Sequence, residues 1–155
     1  MSQLIHCIYA SKSSSEFKEH QIPQLLESAR RNNAARDITG MLLYVEGNFF
    51  QILEGHESAV TGVFERIRGD TRHGRITQII LEPIFERAFS EWTMGFANVE
   101  FAEVKARIGG NDFFSGAACL QQLSPGRARK LLNAFRAGRW RADQTGMHRA
   151  HGRMA

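Results

Sequence analysis

The sequence has few cysteines, and the two that it has argue against a disulfide framework. Cys7 and Cys119 lie far apart and show neither metal-ligand nor redox spacing. No stretch approaches the roughly 18 apolar residues that a membrane-spanning helix needs. Met1 to Ala10 also lacks the basic segment and long apolar run of a signal peptide. We therefore expect a cytoplasmic protein that has no membrane partner.

The familiar catalytic and metal-binding motifs are absent as well. There is no Gly-rich dinucleotide fingerprint, P-loop, His-Glu-x-x-His or Cys-x-x-Cys. His148 and His151 have a spacing that could bind a metal, but two histidines in a tail are usually incidental. We therefore predict that the protein is not an enzyme and has no resident metal.

Acidic residues are scarce near the C-terminus, where the formal charge of +4 is concentrated. From residue 127 onward the only acid is Asp143, whereas the basic residues are Arg127, Arg129, Lys130, Arg136, Arg139, Arg141, Arg149 and Arg153. Such a tail could contact nucleic acid, but a solvated, partly disordered end is the commoner explanation. Nucleic acid is therefore not the partner that we expect.

Hydrophobic patterning over 155 residues predicts a single core built from strands and helices. Short apolar runs predict strands over 3–10, 38–45, 48–54, 75–83 and 92–101, and Ser11 to Ser15 is typical of a turn. A first helix should begin near Pro23, which suits a first turn, and end at Asn32-Asn33. A second helix, 57–69, carries an apolar stripe at i, i+3, i+4, i+7: Val60, Val63, Phe64 and Ile67.

The element order β-α-β-β-α-β-β indicates an α+β fold of the ferredoxin-like class, with both helices on one face of the sheet. We expect the first and third strands to be parallel neighbours at the sheet centre. After Phe101 the pattern changes, and 112–122 and Pro125 to about Trp140 are predicted helices. We therefore divide the chain into a domain of residues 1–101, a helical extension of residues 102–140 and a disordered tail of residues 141–155.

Two polar side chains, Gln51 and Tyr9, fall on otherwise apolar strands. By strand alternation Gln51 shares a face with Phe49 and Leu53, where an unpaired buried amide would cost about 1–3 kcal/mol. A buried tyrosine hydroxyl likewise needs a partner. A satisfied core amide or an edge residue facing water would explain Gln51 without any function. If the first and third strands are neighbours, however, Tyr9 and Gln51 can both point toward the helices.

Five further residues could line the space beneath the helices. By the same alternation Trp92 and Met94 share one face of the last predicted strand, although such residues are usually core. Asn32 and Asn33 could cap the first helix, or their amides could hydrogen-bond a planar ring with several acceptors. Arg66 could hold an anionic or carbonyl group, although a solvated arginine is commoner.

Together these segments resemble the BLUF family, the sensors of blue light using FAD. The resemblance covers about residues 3–101. Its most specific parts are Thr39-Gly40-Met41-Leu42-Leu43-Tyr44 and Phe49-Phe50-Gln51-Ile52-Leu53-Glu54-Gly55, and Arg66-Ile67 to His73 and Trp92-Thr93-Met94 follow at matching spacing. Several separated motifs in the right order are far more specific than any one of them.

The resemblance implies a domain that binds FAD non-covalently, with the isoalloxazine ring between the two helices. By position, Tyr9 and Gln51 match the photoactive tyrosine and glutamine of the family. Trp92 and Met94 match its switching residues on the last strand.

The resemblance also assigns cofactor contacts. Asn33 matches the asparagine that bonds the flavin carbonyl edge, and Asn32 fills the neighbouring position. Leu25 and Ile67 would sandwich the ring, and Arg66 would approach its pyrimidine side.

The family further implies a photochemistry and an output. Excited flavin takes an electron and a proton from Tyr9, and their return leaves the hydrogen bonds of Gln51 rearranged, by rotation or by tautomerisation. A stronger bond to the flavin carbonyl then shifts absorption to the red until dark recovery. We expect the last strand to pass this change to the helical extension. The extension would control an unknown protein partner in a light-dependent manner, in a protein that forms a homo-oligomer.

Two alternatives stay open. A ferredoxin-like domain could bind RNA or another ligand without photochemistry, although the aromatic-basic strand motif of RNA-recognition domains is missing. A small acylphosphatase-like hydrolase of the same fold would need an arginine in the loop after the first strand, where this sequence has Ser11-Lys12-Ser13-Ser14-Ser15.

Overall fold

A computed structural model describes residues 3–90, 92–99 and 125–136. Five strands form one sheet: β1 (Leu4–Ser13), β2 (Thr39–Val45), β3 (Asn48–His56), β4 (His73–Pro83) and β5 (Gly95–Val99). The helices are α1 (Ile22–Ala35), which follows a 3-10 turn (Glu19–Gln21), α2 (Glu57–Arg68) and α3 (Pro125–Arg136). The predicted ferredoxin-like α+β fold is confirmed. The predicted helix 112–122 and the tail 141–155 lie outside the described residues.

The strand order is β4-β1-β3-β2-β5, with β1 and β3 neighbouring each other at the centre as predicted. They are antiparallel, however, so the prediction of a parallel pair is wrong. The reason is the hairpin between β2 and β3, whose turn residues Glu46 and Gly47 have φ values of 46° and 87°. After α1 the chain enters β2 in the same direction as β1, and this tight turn then reverses it, so that β3 runs against both β2 and β1.

The first strand is longer than the sequence predicts. Ser11 to Ser15 is typical of a turn, yet Ser11 pairs with Phe49 and Lys12 with Asn48. Lys12 also pairs with Gly74 on the other side, beyond a register shift after Ala10. Ladder hydrogen bonds to two neighbouring strands outweigh the weak strand preference of serine, because strand propensity depends strongly on context.

The two faces of the sheet carry separate hydrophobic clusters. On the front face the sheet packs against α1 and α2, with Leu26, Val60 and Phe64 buried between them. On the back face Ile8 and Phe50 belong to a second cluster, to which α3 adds the side chains Ala128, Leu131 and Leu132. Burying these apolar side chains holds α3 on the sheet face that α1 and α2 leave open.

A polar contact between α3 and β4 adds to this docking. Arg129 Nη2 donates to Glu82 Oε1 at 2.6 Å, and Glu82 Oε2 lies 2.8 Å from His6 Nε2 on β1. None of the described helices is both long enough and apolar enough to cross a membrane.

Candidate functional site

Tyr9 and Gln51 are direct cross-strand partners at the centre of the sheet. Both side chains are buried on the front face, and the Tyr9 hydroxyl donates a hydrogen bond to Gln51 Oε1. Burial raises the pKa of the Tyr9 phenol above its usual range, with smaller contributions from Cys7 and Asp70. The phenol therefore keeps its proton and presents it to the amide oxygen.

The other end of the Gln51 amide meets a sulfur atom. Gln51 Nε2 donates to Met94 Sδ at 3.3 Å, and Met94 is fully buried in the front cluster. A thioether is only a weak acceptor. The amide thus has one strong and one weak hydrogen bond, and the weak one can be exchanged at little cost.

A cavity of about 330 Å³ opens beside this pair, between α1 and α2. This volume falls within the range of about 300–1,000 Å³ that is usual for cofactor and ligand sites. All six predicted binding residues line this cavity: Leu25, Asn32, Asn33, Gln51, Arg66 and Ile67. Tyr9 lines it as well. The structure therefore brings these side chains together, while their roles toward a cofactor stay predictions.

Asn33 does not cap α1, because the helix continues for two residues beyond it to Ala35. Its buried side chain donates from Nδ2 to the Thr93 carbonyl at 2.8 Å, and Asn32 is half-buried. One turn earlier Arg30 Nε donates to the Met94 carbonyl at 2.9 Å. Burial lowers the pKa of Arg30 to about 10, so the guanidinium stays charged at neutral pH. Two α1 side chains therefore hold the backbone beside Met94.

The structure separates Trp92 from Met94. Neither residue lies on a strand, because β5 begins at Gly95 and the chain bends at Thr93 and Met94. Trp92 belongs to the back cluster, where it stacks on Phe89 with ring centroids 6.4 Å apart. The prediction that Trp92 and Met94 share one face is therefore wrong, since strand alternation does not apply to a bend.

Three titratable cavity residues were missed by the sequence analysis: Asp70, Arg72 and His73. Arg72 Nη2 lies 2.5 Å from Asp70 Oδ2, and the hydrogen bond from Arg72 holds the pKa of Asp70 below its usual range. His73 bridges Ser11 Oγ at 2.6 Å and the Ile67 carbonyl at 2.8 Å. The available signal was a cluster of three titratable residues directly after α2.

The donor set of this cavity fits a flavin. Apolar side chains on α1 and α2, including Leu25 and Ile67, can cover the faces of a planar ring. The amides of Gln51, Asn32 and Asn33 can serve its edge, since an amide offers both donor and acceptor atoms. The Arg72–Asp70 pair adds charge to the cavity wall.

Residues 4–95 match the family model described as BLUF, sensors of blue-light using FAD. The chain belongs to the BLUF family. This BLUF domain is a blue-light sensor whose cofactor is FAD. The matched region is a sensory domain and not a catalytic one. The match decides against the RNA-binding and acylphosphatase-like alternatives.

Two of its relatives are much longer proteins. Photoactivated adenylate cyclase subunit beta of Euglena gracilis is 39% identical over 93 residues, which are 59% of this chain and 11% of the relative. The blue light- and temperature-regulated antirepressor BluF of Escherichia coli (strain K12) is 30% identical over 96 residues, which are 62% of this chain and 24% of the relative. The BLUF domain therefore corresponds to a minor part of each.

Two solved BLUF structures match nearly end to end. The dark-state structure of BlrB is 30% identical with a TM-score of 0.72, and the match covers 89% of this chain and 98% of BlrB. The photo-activated state of BlsA is 25% identical with a TM-score of 0.73, covering 86% and 94%.

Proposed function

We propose that the Tyr9–Gln51 pair is the photoswitch of this sensor, and that Met94, β5 and α3 relay its state to a protein partner. The observation that carries the proposal is the position of the Gln51 amide. Its oxygen accepts from Tyr9, its nitrogen donates to Met94, and the residue lines the cavity.

Tyr9 provides the electron and the proton of the light reaction. Bound FAD supplies the absorption of blue light and an excited state that accepts an electron. The Tyr9 phenol is buried, so its proton cannot leave to water and is held between the phenol oxygen and Gln51 Oε1. Loss of an electron from Tyr9 is therefore coupled to movement of this proton along the hydrogen bond.

Gln51 converts this transfer into a lasting change. Rotation of the amide, or a shift to its tautomer, exchanges the donor and acceptor ends that face Tyr9 and Met94. The exchange breaks the contact with Met94 Sδ, which costs little because a thioether accepts weakly. The resulting pattern differs only in hydrogen bonds, so the protein returns to its starting state in the dark.

Met94 lies directly before β5, which pairs in parallel with β2. A change in the Met94 contact would shift the start of this edge strand and the Trp92 packing on the back face. α3 shares that back cluster with Trp92. A light-dependent bias of 1–3 kcal/mol in α3 docking would change partner affinity by about 5–150-fold.

The switch is tested by Gln51→Leu in the FAD-loaded protein. We expect this variant to bind FAD and to lose the reversible red shift, because the switching amide is gone. Gln78→Leu is the matched control, since Gln78 pairs with Tyr9 from the β4 side but its side chain is exposed. It should shift like the wild type. A normal red-shifted state in Gln51→Leu would refute the proposed switch.

The output is tested by capture of binding proteins in darkness and in blue light. The partner, or a second copy of the chain, should bind differently in the two states. Arg129→Ala removes the Glu82 contact of α3 and should reduce the difference between them. Identical binding in both states would contradict an output through α3.

A further inference from the structure

A buried carboxylate on the back face attaches the segment that carries Met94 to the sheet. Glu54 of β3 is fully buried. Its Oε1 accepts hydrogen bonds from the Phe89 backbone N–H at 2.7 Å and from the Thr39 hydroxyl at 2.9 Å. Its Oε2 accepts from the Ala88 backbone N–H at 2.8 Å. A buried charge is costly unless it is hydrogen-bonded, so Glu54 and residues 88–89 hold one another in place.

Arg87 reinforces this attachment. Its Nη1 donates to Thr39 Oγ1 at 2.9 Å and to the Glu54 carbonyl at 3.2 Å. Its Nη2 donates to the Asp37 carbonyl at 2.8 Å and to Asp37 Oδ2 at 3.2 Å. The Thr39 hydroxyl therefore accepts from Arg87 and donates to Glu54. Residues 87–89 are thus joined to β2, to β3 and to the turn before β2.

We call the hydrogen-bonded set of Glu54 and residues 87–89 the anchor. Met94 follows Phe89 by only five positions in the chain. The Trp92 N–H donates to the Phe89 carbonyl, and the Trp92 carbonyl accepts from the Gly40 N–H, both at 3.0 Å. The next two carbonyls are held by Asn33 and Arg30 of α1. The position of the Met94 thioether is therefore fixed from two sides, by Glu54 on the back face and by α1 on the front face.

We propose that Glu54 is a positioning residue of the photoswitch, which holds the segment from which Met94 meets Gln51 and thereby sets the rate of dark recovery. The inference rests on the proposed switch at Gln51. Interconversion of the two hydrogen-bond patterns requires Met94 to leave the amide and to return. Because Glu54 holds the segment at Ala88 and Phe89, the segment resists this displacement of Met94. Loss of these hydrogen bonds should therefore lower the barrier to dark recovery.

Glu54→Gln tests the anchor with almost no change of shape. The variant replaces one carboxylate oxygen by an NH₂ group, which must then face the N–H of Ala88 or of Phe89. We expect an unchanged red shift and a dark recovery that is about tenfold faster, equivalent to about 1.4 kcal/mol of lost hydrogen bonding. Hydrogen exchange at the Ala88 and Phe89 amides should also be faster, with or without FAD. Glu57→Gln, at an exposed position on α2, is the control and should change neither quantity.

A double variant shows whether Glu54 acts through Met94. In combination with Met94→Leu, Glu54→Gln should add no further acceleration, because the contact that it positions is already absent. If Glu54→Gln does not fold, Thr39→Val removes one donor to the same carboxylate and should also accelerate recovery. Thr39→Ser keeps the hydroxyl and should recover at the wild-type rate.

Two results would overturn the anchor. In the first, hydrogen exchange at the Ala88 and Phe89 amides is faster in Glu54→Gln but the rate of dark recovery is unchanged. If Glu54→Gln does not fold, the same result in Thr39→Val has the same meaning. The other is an equal acceleration with and without Met94→Leu. If the red shift persists in Gln51→Leu, the proposed switch itself is rejected. If the red shift is lost in Gln51→Leu but dark recovery is unchanged in Glu54→Gln, only the role of Glu54 is rejected.

Discussion

Trp92 and Met94 lie two residues apart in the chain and on opposite sides of the sheet. Met94 Sδ is 3.3 Å from Gln51 Nε2 on the front face, whereas Trp92 stacks on Phe89 in the back cluster. The bend between them thus joins the cavity wall to the core against which α3 packs. We therefore expect a small movement at either residue to alter the packing on both faces, because close-packed cores transmit strain.

Variants of Met94 should separate light detection from output. Met94→Ala and Met94→Leu should both keep the red shift, because Tyr9 and Gln51 remain, but lose the light-induced change of hydrogen exchange in residues 105–140, which include α3. Alanine leaves a cavity and costs about 2–5 kcal/mol, whereas leucine conserves volume and costs less than about 1.5 kcal/mol. If both variants lose the light-induced change, the cause is the missing contact between sulfur and Gln51 and not a loss of stability. A full light-induced change in either variant, or none in the wild type, contradicts this route.

Tyr9→Phe should bind FAD and fail to form a stable red-shifted state. The ring contact with Phe64, at a centroid distance of 5.4 Å, is kept, while the proton donor to Gln51 is lost. Tyr44→Phe is the control, since Tyr44 belongs to the same front cluster but packs on Phe49 and Phe17. Light-minus-dark difference spectra of the two variants decide the matter. A red shift of normal size and lifetime in Tyr9→Phe would exclude the phenol as the donor.

Asn33→Ala should weaken FAD retention by up to about tenfold, since one hydrogen bond contributes about 0.5–1.5 kcal/mol. Asn32→Ala should have a smaller effect, because that side chain is only half-buried. Arg30→Met removes a neighbouring bond to the Met94 backbone and serves as a control for loosening of that segment. Titration of the apoprotein with FAD gives the three affinities. Equal affinity in Asn33→Ala and wild type would count against a contact between Asn33 and the cofactor.

Docking of α3 should weaken in acid. Partial burial tends to raise the pKa of Glu82, but hydrogen bonds from His6 and Arg129 outweigh it and leave this pKa below its ordinary value of 4.5. A carboxylate whose pKa is lower in the folded than in the unfolded state stabilises the fold when the pH is above its unfolded-state pKa. This contribution is lost as the pH falls through its folded-state pKa. We expect the backbone amides of α3 to exchange faster as the pH falls through this range. Glu82→Gln should remove this pH dependence and Glu57→Gln should keep it; an unchanged acid response in Glu82→Gln contradicts the assignment.

The sequence predicted those parts of the fold that depend on local patterns. The β2–β3 hairpin and the α2 stripe ending at Ile67 are examples, and the element order was enough to put Tyr9 and Gln51 on adjacent strands. The predicted parallel orientation was wrong because that hairpin reverses the chain between β2 and β3. Since β1 and β3 are adjacent in either direction, this error did not affect the prediction that both side chains point toward the helices.

Other features depend on long-range contacts. Trp92 and Met94 follow a loop whose backbone is hydrogen-bonded to Glu54, and Glu54 is separated from Phe89 by 35 positions in the chain. No local pattern indicates that a glutamate in an apolar strand will hold a distant loop. Asp70 and Arg72 were missed for a related reason, because charged residues in a loop look like ordinary surface residues until the fold places a cavity beside them.

The pairing of Tyr9 with Gln51 across two adjacent central strands would make the proposed light-sensing chemistry portable. Backbone ladders keep neighbouring strands about 4.8 Å apart, so the separation of these two residues depends little on loop lengths or on the segment that follows β5. Insertions at the periphery and exchange of the C-terminal segment leave the ladder unaltered. If the proposed switch is right, the same pair could be joined to unrelated effectors without readjustment, for example by fusing new sequences after β5.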